Sequence, residues 1–290
     1  MPEVSLTAQD VACAKVYDAM HSARASSPIV RQLYARAMGD AYPWDVDPAS
    51  SADWPLIGSL VGAVCMQPGQ RLIDLGCGTG GVGLWLARAL GVSVTGVDIS
   101  PLALRLAADR ASAFQIPHGR ATFVTGSRTS TGLPDRYAHG LVCVDALGPR
   151  ADRPVVLAEI RRVLRPGARA VLTSNRSRAA QLPQWSEDAA RAGLLLEACH
   201  ERPHEPPMWR RLYALWVQHE GELREQLGDE QAESMLHEAR LHAPKLEHRL
   251  ALVVTLRRPS NDPPPLPRRA AAWPVESPST EPGPGGPRSR

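Results

Sequence analysis

An apolar stretch that leads directly into a glycine-rich turn constrains this chain more than any other feature. The stretch from Arg71 to Leu75 is typical of a buried strand, and glycines follow it at Gly76, Gly78 and Gly80. Glycine adopts positive φ without a Cβ penalty and leaves space against the main chain, beside the unpaired amides at the start of a helix. The turn therefore predicts a strand–turn–helix unit that holds a nucleotide-like ligand against its backbone.

Two kinds of cofactor fit this turn on spacing alone. Gly76, Gly78 and Gly81 satisfy the dinucleotide fingerprint G-x-G-x-x-G, which is a weak signal by itself. A second apolar strand, Val92 to Val97, ends in Asp98, whose carboxylate can accept hydrogen bonds from ribose hydroxyls. Both NAD and S-adenosylmethionine carry such a ribose, so these residues leave the cofactor open.

The order of the remaining motifs separates the two cofactors. The motifs are D-L-G-C-G-T-G from Asp74 to Gly80, V-D-I-S from Val97 to Ser100, D-A-L from Asp145, and a helix that ends in Pro166-Gly167. In this order, residues 68–175 resemble the class I S-adenosylmethionine-dependent methyltransferases, most of all bacterial enzymes that modify small specialised metabolites. The resemblance implies S-adenosylmethionine as the cofactor and a Rossmann-like α/β fold. That fold has a mostly parallel seven-stranded sheet with helices on both faces.

The resemblance also implies a set of cofactor-binding residues near the carboxyl ends of the strands. They are Tyr17, Asp74, Gly76, Cys77, Gly78, Asp98, Ile99, Ser127, Arg128 and Asp145. One position departs from the family pattern, because many relatives have Gly-Asp after strand three where this chain has Gly126-Ser127. A neutral hydroxyl is a weaker acceptor than a carboxylate, so we expect adenine to be held less firmly than ribose.

Aromatic and titratable side chains outside the turn are candidates for contact with the methyl acceptor. The substrate-binding candidates are Tyr34, Trp44, Trp209 and Tyr213. Aromatic residues can enclose a flat substrate, although for any one of them packing is the more common role. The catalytic candidates are Asp145, which either orients the ammonium group of the donor or accepts a proton, and His204. The sequence does not choose between carbon, nitrogen and oxygen as the acceptor atom.

Composition excludes several other classes of protein. Five cysteines without a C-x-x-C pair predict neither a disulfide framework nor a zinc site, and no histidine pair predicts another metal. No apolar run predicts a membrane span or a secretory signal, so we expect a cytoplasmic protein without a membrane partner. Residues 257–290 account for the net charge of +3, and the near-neutral remainder predicts no nucleic-acid partner. We expect a small-molecule substrate and either a monomer or a homodimer.

Hydrophobic periodicity divides the chain into three parts. Residues 1–67 predict a helical cap, residues 68–257 a methyltransferase core, and residues 258–290 a disordered proline-rich tail. A two-helix insertion at about 207–245 is expected before the last strand, where it would join the cap. The strands are expected near 71–75, 93–97, 121–125, 140–144, 169–173, 194–199 and 250–256.

The sequence favours methyl transfer from S-adenosylmethionine to a small molecule, and two rivals remain. The same scaffold can bind this cofactor and catalyse a cyclisation without methylation, or it can bind the cofactor without any turnover. The mass of the product separates methylation from cyclisation. Enclosed space beside the donor methyl would argue against a non-catalytic binding protein.

Overall fold

The glycine turn and its flanking strand lie at the centre of a mixed sheet of seven strands. The computed structural model describes residues 6–148, 152–178 and 185–261, so most of the predicted tail lies outside the described residues. The strands are β1 (Arg71–Leu75), β2 (Ser93–Asp98), β3 (Ala121–Thr125), β4 (Ala138–Cys143), β5 (Leu164–Ser177), β6 (Leu195–Glu201) and β7 (Arg249–Arg257). The positions of all the expected strands are confirmed.

The strands follow the order β3-β2-β1-β4-β5-β7-β6, and only β7 is antiparallel to its neighbours. The chain proceeds outward from β1 to β3 and then returns to the other side of β1 with β4. This reversal places the switch point of the sheet between β1 and β4. Ligands of such sheets bind there, beyond the carboxyl ends of the strands.

Ten α-helices surround the sheet in the described part of the chain. They are α1 (Ala8–Ala25), α2 (Ile29–Met38), α3 (Trp54–Val64), α4 (Gly81–Leu90), α5 (Pro101–Arg110), α6 (Arg153–Val163), α7 (Trp185–Arg191), α8 (Glu205–Gln218), α9 (Glu220–Leu227) and α10 (Asp229–His242). The start of α5 has the expected cause, since the Ser100 hydroxyl accepts from the Ala103 amide and Pro101 occupies the first turn. None of the helices in the described ranges is long and apolar enough to cross a membrane.

Three apolar clusters hold these layers together. Helices α3 and α4 cover one face of the sheet, and α6 and α7 cover the other. A third cluster joins α2 to α8, α9 and α10 above the carboxyl ends of the strands. We call these four helices the cap. The inner surface of the cap covers the carboxyl ends of the strands.

The cap differs from the sequence expectation in two respects. The insertion contains three helices rather than two, because the chain breaks at His219, and α9 is too short and polar to show a clear period, with Leu223 as its buried residue. Helix α3 belongs to the sheet rather than to the expected cap of residues 1–67. Its Leu56, Leu60 and Val64 pack on the strands. Gly228 and Asp229 mark the boundary between α9 and α10.

Candidate functional site

The glycine turn between β1 and α4 has the backbone geometry that its sequence predicts. Gly76, Gly78 and Gly80 have φ values of 73°, 50° and 77°. The Gly76 amide donates to the Val97 carbonyl at 2.7 Å, which ties the turn to the end of β2. A Cβ on Gly76 would lie 2.1 Å from the Cβ of Ala146. Both the positive φ and the close neighbour therefore require glycine here.

Asp98 ends β2 beside this turn. Its carboxylate accepts the Gly78 amide at 2.7 Å and the Ser100 amide at 2.9 Å, one on each oxygen. An ionised carboxylate has about four acceptor positions, so each oxygen keeps capacity for a ligand hydroxyl. The geometry suits the ribose contact that the sequence predicts for Asp98.

Asp74 lies beneath the turn rather than on its open side. It is buried, and its Oδ2 accepts the Gly83 amide of α4 at 2.9 Å. Burial raises the pKa of this carboxyl to about 7, against the opposing effect of the Gly83 hydrogen bond, and Asp98 raises it further. The observed contact anchors α4 to β1, and cofactor contact by Asp74 stays a prediction.

The raised pKa of Asp74 predicts a stability that falls as pH rises. The folded chain holds this proton up to about pH 7, whereas the ordinary value is 3.8. Between these values unfolding releases a proton, so Asp74 lowers the free energy of unfolding by up to about 1.4 kcal/mol per pH unit. We expect Asp74→Asn to remove this part of the slope. Urea unfolding of both proteins from pH 4 to pH 8 tests it, and parallel stability curves would contradict the assignment.

Helix α1 covers the open side of the turn. Asp18 accepts the Ser100 hydroxyl at 2.5 Å and the Leu102 amide at 3.0 Å, which fixes α1 to the start of α5. Tyr17 is half-exposed, and burial and nearby Asp98 raise the pKa of its phenol. His21 is buried, and its Cε1 would lie 3.6 Å from a Cβ placed on Gly78. The sequence reading missed His21, although it lies one helical turn after Tyr17 on the same face.

The other predicted cofactor residues lie around the same edge of the sheet. Cys77 is packed against Gly96, and burial raises the pKa of its thiol well above the usual value, as expected of a space-filling residue. Ser127 is buried, with its hydroxyl 3.0 Å from that of Thr129. Arg128 pairs with Asp152 at 2.7 Å, and Ile99 lies half-buried next to Asp98. Their contacts with a cofactor stay predictions.

A cavity of about 590 Å³ lies between the end of the sheet and the cap. Its sheet side is formed by Asp145, Thr173 and Asn175, and α1 contributes Tyr17 and Arg24. The cap contributes Tyr34, Glu205, Trp209, Tyr213, Glu238 and His242. The volume falls within the range of about 300 to 1,000 Å³ that is typical of small-molecule sites.

Asp145 connects the sheet to the loop that precedes α3. Its Oδ1 accepts the Thr173 hydroxyl at 2.8 Å, and its Oδ2 accepts the Ser51 amide at 2.7 Å. Its φ of 55° lies in the left-handed region, which few residues other than glycine adopt. These contacts hold the carboxylate in one position at the mouth of the cavity. A fixed acceptor of this kind suits the orienting role rather than proton transfer.

Three of the four predicted aromatic residues line the cavity. The rings of Tyr34 and Trp209 meet edge to face at 6.2 Å, and Trp209 and Tyr213 lie 5.4 Å apart. The Tyr213 hydroxyl donates to Glu238 at 3.1 Å, and burial raises the pKa values of both phenols. These rings pack within the cap and also face the cavity. Packing and substrate contact are therefore compatible roles for them.

Two predicted residues lie away from the cavity. Trp44 is 55% exposed and packs against the ring of Tyr42, and Arg31 lies 5.2 Å from its ring centroid. His204 is exposed where it precedes α8 and does not line the cavity. The cavity is lined instead by His242. The sequence did not predict this position, because nothing nearby in the sequence marks it.

A sulfonium nucleoside fits the geometry of this site. The turn presents main chain without Cβ atoms at Gly76 and Gly78, and Asp98 offers acceptors at its edge. The turn and the cavity meet at Asp145 and Ala146, because Ala146 packs on Gly76. A donor in the turn and an acceptor in the cavity would therefore be neighbours.

Comparison with known proteins finds related sequences for part of this chain. Residues 72–167 match the family model described as a methyltransferase domain. The 27-O-demethylrifamycin SV methyltransferase of Amycolatopsis mediterranei is 31% identical over 160 residues, which are 54% of this chain and 56% of that protein. This chain thus spans about half the length of that curated relative.

Solved structures with the same fold cover more of the chain. The [4+2]-cyclase SpnF has a TM-score of 0.67 at 20% identity, covering 89% of this chain and 98% of that one. An S-adenosylmethionine-dependent methyltransferase of Geobacter sulfurreducens, in complex with S-adenosyl-L-homocysteine, has a TM-score of 0.56 at 20% identity. That alignment covers 78% of this chain and 98% of the other. At this identity the likeness establishes the fold.

Proposed function

We propose that this chain transfers a methyl group from S-adenosylmethionine to a small-molecule acceptor in specialised metabolism. The match of residues 72–167 to a methyltransferase domain and the strand order of the sheet support this proposal. The observation that carries this proposal is the junction of the glycine turn with the cavity at Asp145 and Ala146. A donor site and an acceptor site meet there without an intervening element.

The donor is consumed in each turnover and supplies an activated methyl group on a positively charged sulfur. The donor would lie against the backbone of Gly76 and Gly78. Asp98 would accept hydrogen bonds from its ribose hydroxyls. Asp145 would hold the ammonium group of its methionine part, since its carboxylate is fixed by Ser51 and Thr173. These residues bind and align the donor.

The cavity supports a small acceptor rather than a nucleic acid. It is bounded by Tyr34, Trp209 and Tyr213 under the cap, and these rings would exclude water from the reacting atoms. In-line displacement needs the acceptor atom close to the methyl carbon and aligned with the S–C bond, which is a matter of positioning. The name of the rifamycin relative describes a small-molecule substrate of that protein and agrees with this class of acceptor. A cytoplasmic location and a monomeric or homodimeric state stay predictions.

The activity can be tested with the purified chain, methyl-labelled donor and a panel of phenols, alcohols, amines and indoles. We expect one class of acceptor to gain the label and S-adenosyl-L-homocysteine to form in equal amount. A product of unchanged composition without S-adenosyl-L-homocysteine would indicate cyclisation instead. Donor binding with no product from any class would favour a non-catalytic protein.

Removal of the Asp98 carboxylate is expected to weaken donor binding. Hydrogen bonds to a charged group contribute about 1.5 to 3 kcal/mol each, so loss of the ribose contact predicts a dissociation constant about 10 to 100 times higher in Asp98→Ala. Calorimetric titration with S-adenosyl-L-homocysteine measures it. Asp109→Ala, at an exposed position on α5, is the control. Equal affinity in the two variants would contradict the ribose assignment.

A further inference from the structure

We propose that the acceptor atom is a hydroxyl oxygen and that His242 is the general base that takes its proton. This inference rests on the proposed function and narrows it, because it names the chemical class of the acceptor. Four side chains that face the cavity could accept a proton: Asp145, Glu205, Glu238 and His242.

The three carboxylates that line the cavity are already engaged. Asp145 accepts from Ser51 and Thr173. Glu205 pairs with Arg249 and accepts the Trp209 indole N–H at 2.9 Å. The remaining carboxylate, Glu238, accepts the Tyr213 hydroxyl at 3.1 Å. Asp145 and Glu205 are poor proton acceptors, because protonation would weaken the hydrogen bonds that hold them. Glu238 accepts one hydrogen bond, from a phenol, and lies one turn before His242 on α10.

His242 is in a different situation. It is the last residue of α10, half-buried, and it lines the cavity. Its imidazole makes no hydrogen bond or ion pair with any residue that the structure describes. All nine histidines of the chain fall within the described ranges, and His242 is the one that lines this cavity. An imidazole that lines the cavity without a protein partner can accept a proton from a bound acceptor through a ring nitrogen.

Charged groups from several elements face His242 across the cavity. Glu238 lies one turn earlier on α10 and faces the same cavity, so its charge stabilises an imidazolium. The carbonyl end of α10 also favours a cation at its last residue. Charged groups of the other cavity walls act in both directions: Arg24 from α1 and Arg249 from β7 oppose protonation, whereas Asp145 and Glu205 favour it. Arg153, Arg202 and Arg249 also line the cavity, and they pair with Asp188, Asp53 and Glu205, so Arg24 is the lining cation without an ion pair among the described residues.

This arrangement selects among the acceptor classes. A neutral amine attacks with its own free lone pair. An electron-rich carbon needs a nearby anion to stabilise the positive charge that develops on it. Neither acceptor needs a free base before attack. Each cavity carboxylate accepts at least one hydrogen bond, while the His242 imidazole has no partner among the described residues. A hydroxyl group is the acceptor that uses such a base, because its oxygen becomes a good nucleophile as the proton leaves.

With a hydroxyl acceptor, the transfer forms an O–C bond and breaks the S–C bond of the donor. The hydroxyl proton moves to a ring nitrogen of His242 while an oxygen lone pair forms the new O–C bond with the donor methyl. The electron pair of the broken S–C bond stays on sulfur, which changes from a cation to a neutral thioether. The products are a methyl ether and S-adenosyl-L-homocysteine. The imidazolium of His242 then returns its proton to solvent.

The first test is His242→Gln with the hydroxyl acceptor found in the panel above. We expect kcat to fall by about 100 to 10,000 times, the usual contribution of a general base, with donor affinity unchanged by calorimetry. His237→Gln, at an exposed position of the same helix, is the matched control and should keep full activity. An unchanged kcat in His242→Gln would overturn the proposal.

A series of acceptors separates proton transfer from a merely structural effect. We expect the loss in His242→Gln to shrink steadily as the acceptor hydroxyl becomes more acidic, and to vanish for a nitrophenol that is already ionised at the assay pH. Loss of activity by one factor on every acceptor would assign His242 to packing and overturn the proposal.

The two proposals fail in different ways. If the wild-type chain methylates amines or carbons but no hydroxyl compound, the base assignment is wrong and methyl transfer stands. If no acceptor class gains the label, the proposed function itself fails.

Discussion

Gly76→Ala is expected to damage both the fold and the donor site. The new Cβ would lie 2.1 Å from the Cβ of Ala146 at a φ of 73°, so either the turn or the end of β4 must move. Overpacking costs about 1 to 3 kcal/mol and a left-handed alanine about 1 to 2 kcal/mol, which together predict a loss of about 3 kcal/mol in the free energy of unfolding. Urea unfolding measures this loss.

Donor binding should suffer in the same variant. The displaced atoms belong to the backbone against which the donor would lie and to the residue that follows Asp145. We expect the dissociation constant of S-adenosyl-L-homocysteine to rise at least about tenfold, which corresponds to about 1.4 kcal/mol. Calorimetry is performed at a temperature where the variant is still folded.

Gly58→Ala is the matched control for this substitution. Gly58 lies on the exposed side of α3, and a Cβ there would meet no heavy atom within 4 Å. Alanine is favoured over glycine in a helix by about 0.8 to 1 kcal/mol, so this variant should be slightly more stable than the wild type, with the same donor affinity. If both variants retained wild-type stability and binding, the tight contact at Gly76 would be refuted.

The donor side of the site was predictable because its residues are close in sequence. Gly76, Gly78 and Gly80 belong to one turn whose positive φ values leave few alternatives, and Asp98 ends the next strand. Parallel strands that alternate with helices place such ends side by side. Local sequence therefore carries nearly all the geometry of this half of the site, including the helix starts at Gly80 and Ser100.

The acceptor side could not be predicted in the same way. Arg24 lies on α1, more than half of the chain before Glu205 on α8 and before Glu238 and His242 on α10. These side chains meet only because the cap folds over the sheet. Helical periodicity identified Trp209 and Tyr213 as one face of α8. It could not tell which end of that face borders a cavity. His204 was named as a candidate and His242 was missed for the same reason, since exposure depends on tertiary packing.

Glu205 shows how this packing and the site depend on each other. It is 2% exposed at the first turn of α8, and it bonds the Arg249 guanidinium of β7 and the Trp209 indole. Burial raises the pKa of its carboxyl, and the Arg249 charge opposes that effect. A buried pair of this kind holds the cap on the sheet and also forms part of the cavity wall.

Glu205→Ala is expected to lower the free energy of unfolding by about 3 to 5 kcal/mol, because it leaves a largely buried Arg249 and the Trp209 N–H without their partner. Denaturant unfolding of Glu205→Ala, Arg249→Ala and the double variant measures the coupling between the two residues. We expect the double variant to be less destabilised than the sum of the single ones, since it leaves no unpaired charge. Glu225→Ala, at an exposed position on α9, should change stability by less than about 0.5 kcal/mol. If the single effects are simply additive, the pair is not what holds α8 to β7, and the cavity wall must be stabilised by the aromatic contacts of Tyr34 and Trp209 instead.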